Sequence, residues 1–156
     1  MKRVKAILVG AGVLAAATLP LGAIEKPGNL SPEVSAGLDR ILAVGVTDGE
    51  ITAVDYLKGG LRVVFTLRPT PKSLIRCELG LADPSKWDGR FWGVGNQGFG
   101  DAFADWHVRH WMLPRAHEGG AVCMADMGTA KNRYGREVVR DFGWRAHHAM
   151  TVAAKK

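Results

Sequence analysis

Ala121-Val-Cys-Met-Ala125 is a run with no polar side chain, set between Gly119-Gly120 and Asp126-Met-Gly-Thr129. A strand of this kind is buried on both faces, as happens in a parallel sheet with helices above and below. That requirement confines the chain to α/β architectures. The flanking segments agree. Residues 51–57 and 61–67 are β-branched and aromatic and are joined by Lys58-Gly-Gly60, which predicts a hairpin. Ser73-Leu-Ile-Arg-Cys-Glu-Leu79 alternates as a half-buried strand does, and Arg90-Phe-Trp-Gly-Val94 reads as the next strand after a turn-rich connection. Residues 102–115 have helical spacing and are closed by Gly119-Gly120. From Asp141 onward, Phe142, Ala146, Ala149, Met150 and Ala153 recur at helical intervals. Strand, loop and helix in this alternation predict a leading β-hairpin followed by a mixed or parallel sheet with helices.

The N-terminus carries a different signal. Met1-Lys-Arg-Val-Lys5 is basic, residues 6–17 are apolar and uncharged, and small residues and Pro20 follow. This is the layout of a secretory signal peptide. The run falls short of the roughly 20 residues that span a bilayer, so no stable membrane span is expected once it is removed. Cleavage fits either Ala-Ala-Ala at 15–17 or Gly22-Ala23. The expected division is a signal peptide at 1–23, a linker and short helix at 24–50 capped by Ser31, and an α/β domain at 51–156, exported to the periplasm or outside the cell. Gly10-Ala-Gly12-Val-Leu-Ala15 mimics a dinucleotide fingerprint, but Pro20 would fall inside the helix such a loop must open.

Export alters the charge argument. The formal net charge of +6 includes Lys2, Arg3 and Lys5; without them 18 basic residues face 15 acidic ones, a net +3. A mildly basic domain without RNA-module spacing gives no case for nucleic acid as partner. Two cysteines, Cys77 and Cys123, are compatible with one disulfide in an oxidising compartment or with two buried thiols.

Gly93-Val-Gly95-Asn-Gln-Gly98 follows a predicted strand and reads G-x-G-x-x-G, a weak pattern that a dinucleotide site or a close backbone approach would equally require. Four further patches occur in order around it: Ser73 to Leu79, Trp87-Asp-Gly-Arg-Phe91, Ala121 to Thr129, and Asp141-Phe-Gly-Trp-Arg-Ala-His147 with Thr151-Val-Ala-Ala-Lys155. Together they resemble the N-terminal part of the tannase and feruloyl esterase family of secreted α/β-hydrolases. The family pattern runs S-x-I-x-F-E-L, W-N-G-R-F, G-V-G-N-G-G, T-D-T-G-H and R-A-x-H-x-x-T-x-x-A-K. The resemblance spans residues 73–155. Departures are Cys77 for Phe, Asp88 for Asn, Gln97 for Gly, and Ala125, Met127 and Thr129 within the fourth patch.

The resemblance implies that the glycine loop supplies a backbone N–H to an oxyanion hole, with Gln97 or Gly98 as the donor and Gly95 and Asn96 on the substrate side. It implies structural roles for Trp87, Arg90, Asp126 and His147. In the usual α/β-hydrolase strand order the second and fourth strands are neighbours, so Cys77 and Cys123 would lie side by side. The family nucleophile sits in a G-x-S-x-G elbow, and no such motif occurs in these 156 residues. The resemblance therefore implies a fold truncated before the elbow, with no catalytic Ser, Asp or His in this chain. No cofactor is expected; complete family members carry calcium in a lid that would be missing here.

Other polar residues read as surface or packing groups. His107, His110 and His117 lack a Cys or carboxylate at ligand spacing, so no metal is expected. His148 sits beside His147 on a helix, and Lys131, Arg133, Arg136 and Arg140 form a solvated basic stretch. The expectation is the front portion of an exported ester hydrolase acting on esters of hydroxylated aromatic acids. The alternative is a small exported binding or interaction domain without catalysis, and an NAD-linked oxidoreductase is the weakest reading. An open sheet edge beyond the Arg90–Val94 strand favours the first; a covered edge favours the second.

Overall fold

The computed structural model describes residues 24–57, 60–95, 110, 112–129 and 135–156. The predicted signal segment 1–23, most of the glycine loop and Lys131 and Arg133 lie outside them. Five strands, β1 (Gly49–Leu57), β2 (Gly60–Leu67), β3 (Ile75–Ala82), β4 (Phe91–Val94) and β5 (Ala121–Ala125), form one sheet in the order β1-β2-β3-β5-β4. The first three form an antiparallel meander, β3 and β5 are antiparallel, and β4 and β5 are parallel. The sheet is thus mixed, and β3 lies beside β5. All five residues of β5 are buried, but with one antiparallel and one parallel neighbour rather than a wholly parallel sheet.

Alternation sorts the strands into two faces. Leu61, Val63, Phe65 and Leu67 of β2 pair with Leu81, Leu79, Cys77 and Ile75 of β3, and these side chains make one apolar face. Helix α1 (Pro32–Val44) covers part of it through Val34 and Leu38. Ser31 caps α1, its Oγ accepting from the Val34 N–H at 3.3 Å. A second helix covers another part of that face. It starts at Arg136, five residues before the predicted Asp141, and comprises α3 (Arg136–Arg140), a π-helical turn (Asp141–Arg145) and α4 (Ala146–Ala154). Ala146 and Met150 are fully buried beneath α4. On the opposite face, α2 (Leu113–His117) and the preceding Met112 pack over Val122 and Met124. No helix among the described residues is long and apolar enough to cross a membrane.

The pairing considered for Cys77 and Cys123 is not made; both thiols are free and buried. Register is the reason. Cys123 stands opposite Leu79 while Cys77 stands opposite Ala125, so the two thiols are diagonal neighbours on one face. Such diagonals separate residues by about 7–8 Å, beyond the roughly 4.4–6.8 Å between Cα atoms that a disulfide bridges. Burial pushes the Cys77 thiol well above its ordinary pKa, with Cys123 and Asp126 adding to it, and burial likewise raises Cys123. A neutral, enclosed thiol is a poor nucleophile. Native protein is therefore expected to leave Ellman's reagent unreacted at pH 8, and guanidinium unfolding without reductant should release both thiols. Rapid reaction in the native state, or no thiol after unfolding, would contradict this arrangement.

Candidate functional site at the strand ends

The carboxyl ends of parallel strands are where α/β folds place functional groups. Here they are the ends of β4 and β5, and the first residue after β4 approaches the loop after β5. A Cβ built on Gly95, the first residue after β4, would lie 4.0 Å from Met127 Sδ in the loop after β5. Asn96, Gln97 and Gly98, which carry the oxyanion expectation, lie outside the described residues.

The loop after β5 is built around Asp126, which is 1% exposed. Its Oδ1 accepts from the Arg76 N–H at 3.0 Å and the Gly128 N–H at 2.9 Å. Its carbonyl accepts from the N–H of Thr129 at 3.1 Å and from that residue's hydroxyl at 2.9 Å. These bonds hold a tight reversal in which Met127 and Gly128 both have left-handed backbone, φ 55° and 75°. Met127 tolerates this at a cost; Gly128 has a second constraint. A Cβ on Gly128 would stand 2.8 Å from Asp141 Cβ, so the helix presses directly on the loop backbone.

Asp141 leads into a buried polar network that ties the segment before β3 to the C-terminal helix. Asp141 Oδ1 accepts from Ser73 Oγ at 3.1 Å and from Arg145 Nε at 2.6 Å. Arg145 Nη2 donates to Ser73 Oγ and to Glu137 Oε2, each at 2.8 Å. Thr70 donates to Glu137 Oε2 at 3.2 Å and lies 3.0 Å from Ser73 Oγ. Arg145 holds the Glu137 carboxyl below its ordinary pKa, chiefly through this hydrogen bond. Burial opposes the charge on Arg145, but the hydrogen bonds to Asp141 and Glu137 outweigh it and raise the guanidinium pKa. This network also explains why β3 starts at Ile75, two residues later than the alternation predicts. Ser73 is drawn off the strand into the network and its N–H bonds Thr70 O at 3.0 Å. Ser73 Oγ is thus engaged by the Asp141 carboxylate, itself paired with Arg145, and by the Arg145 guanidinium, the surroundings of a structural hydroxyl.

The remaining predicted residues are scattered around this core. His147 lies over β4, where a Cβ on Gly93 would come within 3.1 Å of its Nε2; one glycine of the G-x-G-x-x-G pattern is accounted for by that approach. Arg90 is exposed and bonds Asp88 through its backbone N–H at 2.9 Å and its guanidinium at 2.8 and 2.5 Å. Asp88 N–H in turn reaches Gly119 O at 3.0 Å, fastening the two turns together. Trp87 is 50% exposed and does not anchor that turn by burial. His110, His117 and His148 do not converge, and among the described residues no group of three or more His, Cys, Asp or Glu is placed to hold a metal. Arg136 and Arg140 belong to α3, Arg140 pairing with Glu137 at 2.9 Å. Sequence reasoning missed Asp141, Glu137 and Thr70 as a set; the available signal was the four-residue spacing of Asp141 and Arg145 on a helix.

The fold and strand ends together define a mixed α/β protein in which Gly95, after β4, approaches a loop after β5 that is anchored to a polar core. No family model matches the chain, and no curated protein matches it. Among solved structures, tannin acyl hydrolase from Aspergillus niger is similar over 72% of this chain, with a TM-score of 0.47 and 15% sequence identity. The chain spans 24% of the length of that protein.

Proposed function

We propose that this chain is the N-terminal portion of an exported carboxylic ester hydrolase of the tannase and feruloyl esterase kind, acting on esters of hydroxylated aromatic acids. The observation that carries the reading is the open edge of the sheet. β4 lies last in the strand order, Trp92 at its middle is 42% exposed, and among the described residues only β5 pairs with it. An unpaired edge next to a buried strand is a liability for an isolated domain and the natural place for a following strand. The order β3-β5-β4 supports the same reading, as does the convergence of residues from separate patches of the family pattern. Ser73, Gly128 and Arg145 come from three of those patches and meet around Asp141.

In this reading the loop after β4 supplies backbone rather than side-chain chemistry. The N–H of Gln97 or Gly98 donates to the carbonyl oxygen of the ester as negative charge develops there, and Gly95 and Asn96 border the acyl group. Such a donor contributes roughly 10²–10³ to the rate, and only when a nucleophile attacks the same carbonyl. The serine, acid and histidine would come from sequence beyond this chain.

Sequencing the gene past the codon for Lys156 and assaying both products tests this directly. The 156-residue chain is expected to leave methyl esters of hydroxylated benzoic and cinnamic acids intact. The chain extended through a Gly-x-Ser-x-Gly elbow in a downstream frame is expected to cleave them, and its elbow Ser→Ala variant is not. Absence of an elbow in every frame would instead make this a non-catalytic exported domain.

A further inference from the structure

A second concavity lies at the opposite end of the parallel strands, beside Phe91 and Ala121 where β4 and β5 begin. It is a groove of about 930 Å³ between α1 and the last turn of α4, and its floor is the apolar sheet face, including Val63, Phe65 and Leu79. That volume lies within the range of small-molecule sites, roughly 300–1,000 Å³. The lining contains no Asp or Glu, whereas Arg40, Lys155 and Lys156 all border it. Lys156 Nζ donates to Thr47 Oγ1 at 2.6 Å and straps the end of α4 to the turn before β1. Lys155 Nζ stands 5.2 Å from the centroid of the Phe91 ring. Arg40 makes no ion pair with any described residue. Trp87, exposed on its turn, completes the aromatic side of the rim.

We infer that this groove binds an amphipathic monoanion, an apolar chain or ring carrying one carboxylate, free in solution. The charge arrangement selects the class. Apolar surface on the floor favours a hydrocarbon body, and cationic side chains at the edge, without acidic neighbours in the lining, favour an anionic head. A neutral molecule would leave the cations unused, and a cationic one would be repelled. The guanidinium of Arg40 offers a forked donor that matches a carboxylate, and the Lys155 ammonium supplies a second positive charge.

Gly37 provides a variant that tests the groove without weakening the fold. It lies inside α1 and lines the groove, and a Cβ there would meet only Arg40 Nη2, at 3.9 Å. Gly37→Leu therefore projects a side chain into the groove while raising helix propensity. Isothermal titration of the full chain with dodecanoate, below its micelle concentration, is the experiment. Saturable 1:1 binding is expected, with dodecyltrimethylammonium, which has the same chain and opposite charge, failing to bind. Arg40→Glu and Lys155→Glu should each weaken dodecanoate about tenfold. Gly37→Leu should abolish binding, with a thermal midpoint no lower than that of the parent. No binding of dodecanoate, equal binding of the cation, or undiminished binding by Gly37→Leu would each overturn the assignment.

Discussion

Replacing Asp141 by Ala is expected to cost about 3 kcal/mol of folding stability. Asp141 is 0% exposed and bonds both Ser73 and Arg145, whose side chain is itself only 14% exposed. Removing the carboxylate leaves a guanidinium out of water with one of its two charged partners gone. Breaking a buried pair in this way typically costs 3–5 kcal/mol. The lower end applies because Glu137 still accepts from Arg145 at 2.8 Å. Against a total stability of about 5–15 kcal/mol, the loss is large. With a urea slope of about 1–3 kcal/mol/M, the denaturation midpoint should fall by roughly 1–3 M. Asp141→Asn keeps an acceptor for Ser73 and the side-chain shape, so it should lose less than half as much. A midpoint for Asp141→Ala within error of the parent would show that the network contributes nothing to stability.

Gly128→Ala is expected to cost a similar amount for a different reason. Left-handed backbone adds about 1–2 kcal/mol for any residue with a Cβ. The new methyl would also stand 2.8 Å from Asp141 Cβ, a distance that forces either the loop or the helix to move. Overpacking of this sort adds about 1–3 kcal/mol. Gly89→Ala separates the two contributions, since Gly89 has a similar positive φ, 83°, but nothing lies within 4 Å of its Cβ position. Gly128→Ala should therefore destabilise clearly more than Gly89→Ala in the same urea titration. It should also reduce activity of the extended enzyme if the ends of β4 and β5 share a site, because Met127, the chain neighbour of Gly128, lies against Gly95. Equal losses from the two glycine substitutions would mean that the contact with Asp141 is slack.

The strands were legible wherever one face is apolar and the other polar. The hairpin over residues 51–67 follows from its β-branched and aromatic content and from Lys58-Gly-Gly60, and from Leu61 onward the burial of β2 alternates residue by residue. β5 was legible from composition alone. The ends of elements were not. β3 begins late because Ser73 is held by Asp141 and Arg145, which lie 68 and 72 residues away. The C-terminal helix begins early because Glu137 bonds Arg145 across the π turn and Val138 is buried, neither of which the basic composition of that stretch reveals. Asp126 was legible as a polar residue at a strand end, whereas Arg145 was quoted in a patch without a role, since its partners Ser73, Glu137 and Asp141 come together only in the fold.

By itself the sequence determined the α/β class, the hairpin, the buried fifth strand and the ordered patches that resemble an esterase family, because these depend on side-chain period and local spacing. Tertiary structure alone decided that β5 has one antiparallel and one parallel neighbour, that Cys77 and Cys123 are diagonal and unbonded, and that Ser73, Asp141 and Arg145 form one network. It also decided that an acid-free groove opens between α1 and α4. Each of these depends on register and on the approach of distant segments. A one-residue change in strand register or a turn of helix rotation would change them all while leaving every local pattern intact.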